Sequence, residues 1–140
     1  MSTYHEQARL LRLLAHPMRL EILAIVRGSD ECVCHLSAVL KKPQPYVSQQ
    51  LAVLRKEGLI TDHKEGTNVY YGLADSPAAA QAAAILRVIA PETRSPAAGG
   101  RRRVAGCNCP RCEPGGTCSQ ALAVAQASTL ARQREEVVLP

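Results

Sequence analysis

The tightest constraint on the fold of this chain is the spacing of its helix breakers between Gly28 and Gly66. Gly28, the run Lys41-Lys42-Pro43-Gln44-Pro45, Gly58 and the Glu65-Gly66-Thr67 turn cut that stretch into a helix, a tight turn, a second helix and a two-stranded hairpin. Ser29 and Asp30 are good N-cap residues for the first of these helices, and Val33, Leu36, Val39 and Leu40 face inward along it. The next helix spans Pro45 to Glu57, with Val47, Leu51 and Leu54 at i, i+4 and i+7 and Gly58 in the usual closing position. Leu59–Lys64 and Asn68–Leu73 read as the strands of the hairpin.

The flanking segments supply a scaffold. Leu10, Leu11, Leu13 and Leu14 recur at helical spacing until His16-Pro17, where proline disfavours helix in the residue before it. Pro17 suits the first turn of another helix, in which Met18, Ile22, Ile25 and Val26 share a face. His5 and His16 read as surface or capping groups. Ser76 or Asp75 caps an alanine-rich helix over 77–90 with Ile85, Leu86 and Ile89. With four tyrosines and no Trp or Phe, the core rests on Leu, Ile, Val and Ala, which suits packed helices. Composition changes at Pro91: residues 91–106 read as a linker with a basic knot at Arg101, Arg102 and Arg103. A cysteine-rich loop and an alanine-rich helical tail follow over 107–140. The expected organisation is therefore a domain over 1–90, a linker over 91–106 and a tail over 107–140.

No apolar run reaches the roughly 20 residues that span a bilayer, and the N-terminus lacks the pattern of a signal peptide. A cytoplasmic protein without a membrane partner is expected, and in a reducing cytosol six cysteines favour ligands or redox thiols over structural disulfides. The net charge of +5 lies mostly in the second half, so local clustering has to carry any argument for nucleic acid.

That clustering exists. Opposite the apolar side of the 45–57 helix lie Pro45, Tyr46, Ser48, Gln49 and Ala52, a small and polar surface with no acid, as a helix entering a major groove requires. Lys41, Lys42, Arg55 and Lys56 give 41–56 four positive charges and no negative one. The DNA-contacting set expected is Lys41, Lys42, Gln44, Tyr46, Ser48, Gln49, Arg55 and Lys56, with Lys64, Thr67 and Asn68 in the hairpin. A solvated helical hairpin accounts for each feature alone; their combination favours DNA binding. The fold class is mainly α with a small β-hairpin wing, a winged helix-turn-helix, plus a Cys-rich C-terminal extension.

The runs ECVCHLSAVL, QPYVSQQLAVLRKEGLI and HKEGTNVYYGL, with HPMRLEIL before them, resemble the ArsR/SmtB family of metal-sensing winged helix-turn-helix repressors over residues 4–90. The resemblance implies a homodimer joined through its first and last core helices, bound to two-fold double-stranded operator DNA and released by an inducer. It implies no enzyme activity and no organic cofactor. The family often has Ser and His where this chain has Pro45 and Gln50.

The remaining signal is sulfur. Cys32 and Cys34 are expected in the first turn of the third helix, where i and i+2 do not face one another, so joint ligation would distort that turn and move the reading helix packed on it. Two small buried residues are the plainer reading; the family-matched CVC favours ligation. Family members with CVCDLC carry a third thiol where this chain has Ser37, and the family's site on the last helix uses Asp, Glu and His, all absent from 76–91. The missing ligands point to Cys107, Cys109, Cys112 and Cys118, a C-x-C-x2-C-x5-C cluster. A flexible linker of 16 residues reaches about 20–24 Å, enough to complete the Cys32–Cys34 site in either subunit; a separate four-thiolate site is the other arrangement. Thiolates select As(III), Cd(II), Pb(II), Zn(II) or Cu(I). A redox sensor or an iron–sulfur protein using the same cysteines is the alternative. A C-x-x-C oxidoreductase at Cys109–Cys112 lacks its βαβ context.

Overall fold

The computed structural model describes residues 3–90 together with Cys107 and Cys112. The expected linker, Cys109, Cys118 and the alanine-rich tail helix lie outside the described residues.

Among the described residues, five helices and three strands follow in the order α1 (Tyr4–Leu14), α2 (Pro17–Val26), β1 (Glu31–Cys32), α3 (Val33–Leu40), α4 (Gln44–Lys56), β2 (Ile60–Glu65), β3 (Asn68–Leu73) and α5 (Pro77–Ile89). A capping box opens α1: Thr3 Oγ1 accepts from the Glu6 amide while the Glu6 carboxylate accepts from the Thr3 amide. Pro17 sits in the first turn of α2 and Ser76 caps α5, its hydroxyl accepting from the Ala79 amide and donating to the Gly58 carbonyl. That second bond ties the end of α4 to the start of α5. Ile22, Leu23, Leu36, Val47, Leu51, Leu54, Leu59 and Leu86, all fully buried, make the core where α2, α3, α4 and α5 meet.

The sheet holds a strand that the sequence pattern does not reveal. β3 is central, pairing antiparallel with β2 on one side and with β1 on the other, in the registers Glu31↔Tyr71 and Cys32↔Tyr70. This pairing corrects the expected start of α3. Glu31 and Cys32 are held extended, so the chain cannot turn helical before Val33, and the N-cap is Cys32 (φ −81°, ψ 162°) rather than Ser29 or Asp30. Its sulfur accepts from the His35 amide at 3.4 Å, in the place where a Ser or Asp oxygen usually serves. Gly72 belongs to the same arrangement: a Cβ there would land on the Asp30 carboxylate that lies over it.

Between α3 and α4 the turn is closed by Ser37 and Lys41. Lys41 takes a left-handed conformation (φ 54°, ψ 43°), and its amide and that of Lys42 both donate to the Ser37 carbonyl. The Ser37 hydroxyl returns a bond of 2.5 Å to the Lys42 carbonyl. Gln50 faces inward instead of toward the reading surface and accepts from Arg19 Nε at 2.9 Å, bracing α4 against α2. No helix among the described residues is long and apolar enough to cross a membrane.

Candidate functional site

Two regions stand out, one on α4 and the hairpin and one at the start of α3. On the first, Lys41, Lys42, Gln49 and Lys56 are exposed, and Gln44, Tyr46, Ser48 and Arg55 are half-buried. Lys64 and Thr67 are exposed at the hairpin tip. Asn68 is a correction: it opens β3 opposite Glu65 and is only 5% exposed, so its side chain belongs to the hairpin's packing and not to its outer surface. Arg55 is also less free than its place in an acid-free run suggests, because the wing brings Asp62 to 3.3 Å from its guanidinium. Lys41, Lys42 and Lys64 are exposed.

The second region is not a surface but a buried cluster of Cys32, Cys34, Tyr70, Cys107 and Cys112, separate from the main core. Cys32 is placed by β1 and Cys34 by the first turn of α3, and their sulfurs lie 3.7 Å apart. The i, i+2 objection fails because Cys32 is not in the helix: the turn from extended to helical backbone between the two residues brings both sulfurs to one side. The sulfurs of Cys32, Cys34 and Cys107 all lie within 4.8 Å of one another. Cys34 is disulfide-bonded in this structure, whereas Cys32, Cys107 and Cys112 are in no disulfide. Its sulfur therefore completes the triangle in position, and in charge only once reduced.

The donor set fits a soft ion. Tetrahedral ligation with Zn–S bonds of about 2.3 Å puts neighbouring sulfurs about 3.8 Å apart, close to the Cys32–Cys34 separation of 3.7 Å. Of the six cysteines expected to ligate, the structure gathers Cys32, Cys34, Cys107 and Cys112; Cys109 and Cys118 lie outside the described residues.

Two neighbours were missed by the sequence reading. Buried His35 brings Nδ1 to 3.4 Å from Cys112 Sγ and 3.7 Å from Glu31 Oε2. Glu31 is itself buried, and its other oxygen accepts from the Ser29 hydroxyl at 2.7 Å. The available signal was adjacency: His35 directly follows the CVC run, and the i, i+4 spacing of Glu31 and His35 puts them within reach across the first turn.

A helix-turn-helix with a basic-tipped hairpin, packed on a small helical core, defines a winged helix-turn-helix domain of the regulatory type. The family described as "Bacterial regulatory protein, arsR family" matches residues 16–62. The chain is 30% identical to the transcriptional repressor BigR from Xylella fastidiosa, with a TM-score of 0.60, covering 66% of this chain and 92% of that one. It therefore belongs to the ArsR family. A homodimeric winged helix-turn-helix DNA-binding domain from Mycobacterium bovis gives a TM-score of 0.52 at 28% identity, over 58% of this chain and 75% of that one. Among curated relatives, the HTH-type transcriptional repressor SmtB of Mycobacterium tuberculosis is 46% identical over 66 residues, 47% of this chain and 49% of that protein. The match thus spans about half the length of that relative.

Proposed function

We propose that this protein is a homodimeric transcriptional repressor that binds operator DNA and is released when a thiophilic ion is held by Cys32, Cys34 and Cys107. The observation that carries the reading is the sulfur triangle at the start of α3, which packs directly on α4. In this reading α4 enters the major groove, with Gln49 and Ser48 toward base edges and Lys41, Lys42 and Lys56 on phosphates. Lys64 and Thr67 extend the contact from the wing. The repressors and DNA-binding domain to which the chain is similar support this role, and the M. bovis domain supports the dimer.

A bound soft ion supplies a charge that draws the thiolates together. Cys32 sits at the joint of two elements, capping α3 and pairing with Tyr70 of β3. Tightening there shifts α3 against α4 and the ladder beneath the wing at once. Coupling free energies of this kind are typically about 1–3 kcal/mol and act reciprocally on ion and operator. As(III), Cd(II), Pb(II) and Zn(II) all match the donors.

Reduced full-length protein, bound to an operator duplex obtained by in vitro selection, is titrated with each of these ions. Release by at least one ion, lost in both Cys32→Ser and Cys34→Ser, is the expected result. If a chain truncated after Ala105 responds as the parent does, Cys107 has no part in the site.

The 3.7 Å approach of the Cys32 and Cys34 sulfurs favours one second reading, a regulator that senses redox state through the same cysteines. It predicts that a mild thiol oxidant shifts operator affinity in the absence of any metal; unchanged affinity removes it. A brown anaerobic preparation with a broad visible band would instead indicate an iron–sulfur cluster.

A further inference from the structure

The Cys32–Cys34–Cys107 triangle leaves His35, Cys112 and Glu31 unused, yet these groups converge beside it. We propose that His35, Cys107 and Cys112 form a second cation seat, bordered by the Glu31 carboxylate. It takes a borderline divalent cation of the zinc type and shares the Cys107 sulfur with the first seat. The inference rests on the reading of that triangle as an ion site and adds a second ion of different preference.

His35 Nδ1, Cys107 Sγ and Cys112 Sγ all lie within 4.8 Å of one another, and all three residues are buried. Bonds of about 2.0–2.1 Å to nitrogen and about 2.3 Å to sulfur set a tetrahedral N–S edge of about 3.6 Å, and His35 Nδ1 is 3.4 Å from Cys112 Sγ. The same nitrogen is 3.7 Å from Glu31 Oε2, so the carboxylate borders the imidazole of the seat. Glu31 is anchored by Ser29 on its other oxygen, and β1 fixes its backbone against Tyr71.

The chemistry of the two seats differs. Three sulfurs select for softness, whereas an imidazole, two thiolates and a neighbouring carboxylate are a mixed set that Zn(II) tolerates better than As(III) does. Cys107 belongs to both groups of donors, so one thiolate can serve both ions. The His35 seat also needs no atom of Cys34, so the disulfide there does not close it.

The test uses the reduced, full-length chain loaded with Zn(II) alone, read by native mass spectrometry and zinc X-ray absorption. The parent should hold two ions per chain and show the multiple scattering of a coordinated imidazole. His35→Ala should hold one ion and lose the imidazole signature, while circular dichroism shows the helices intact; Cys112→Ser should also hold one. One ion per chain in the parent, absence of imidazole scattering in the parent, or two ions in His35→Ala overturns the proposal. Because the parent's stoichiometry and spectrum decide the matter alone, a poorly folding variant does not obscure it. Operator release is measured separately. Two bound ions without release from any operator duplex end the repressor reading and leave the seat standing; release together with a single ion held even in excess Zn(II) ends the seat and leaves the repressor reading standing.

Discussion

Tyr71 shows how much one side chain in the wing can be asked to bear. It is buried in β3, opposite Asp62 of β2 and Glu31 of β1. Burial, and then the charge of Asp62, push its phenol up from 10.0 to about 12, with Arg55 opposing. The neutral form is therefore favoured on folding. The unfolded chain loses this proton near pH 10 while the folded one keeps it, so the contribution is complete below about pH 10 and disappears as pH rises toward about 12. The shift corresponds to about 2–3 kcal/mol. Tyr71→Phe should flatten the fall in denaturant midpoint across that window, and an unchanged slope would show the phenol to be unimportant. Lys41 carries a different burden. A left-handed backbone costs a residue with a Cβ about 1–2 kcal/mol, and Lys41 at φ 54° accepts that cost at the hinge of the helix-turn-helix. Lys41→Gly should raise stability by about 1 kcal/mol in urea unfolding. On DNA the same change should weaken binding and reduce the salt dependence of log affinity by about one phosphate contact. A gain in both would remove Lys41 from the interface.

At the scale of elements, the turn between α3 and α4 is held by Ser37 through both its carbonyl and its hydroxyl. Ser37→Ala should cost about 1 kcal/mol and loosen operator binding while leaving ion stoichiometry unchanged, which separates the turn from the sulfur site. From the sequence alone Ser37 read as a gap in a set of thiols; the structure gives it a structural task of its own. The five helices were legible because their apolar residues repeat over two turns or more and, α3 excepted, their caps and prolines stand near where helices begin. Strand β1 was not, since two residues have no measurable alternation and pair with a segment about 39 positions away in register. Missing β1 displaced the N-cap and led to Cys32 and Cys34 being set on a regular helix, where they would diverge. Asn68 was misplaced for a related reason: a polar residue after a turn reads as exposed until the packing beneath it is known.

At the scale of the molecule, α1 and α5 leave apolar surface uncovered. Tyr4 and Leu11 on α1, and Val88 and Ile89 at the end of α5, are exposed, Val88 by 80%. These are the helices expected to join two copies, and Ala80 and Ala84 add small exposed residues along α5 that permit close approach. Leu11→Glu combined with Val88→Glu should give a monomer by light scattering, with operator affinity falling at least tenfold; a dimer of unchanged affinity would place the interface elsewhere. The shortage of thiols on α3 pointed to at least one tail cysteine joining Cys32 and Cys34, and Cys107 and Cys112 cluster with them. His35 was not anticipated, because a single histidine in a helix is usually packing, and the Cys112 sulfur that reaches its ring at 3.4 Å comes from far along the chain.

The brevity of β1 has a consequence for sensitivity. A ladder of two residue pairs, Glu31↔Tyr71 and Cys32↔Tyr70, is fastened by only a few hydrogen bonds, each worth about 0.5–1.5 kcal/mol net. That is the same order as the free energy an effector contributes through coupling. A strand of six residues here would act as a rigid weld, indifferent to what happens at the sulfurs. Two residues make a clutch: on the proposed reading, firm enough to hold the wing in register and weak enough for ion binding at Cys32 to slip it.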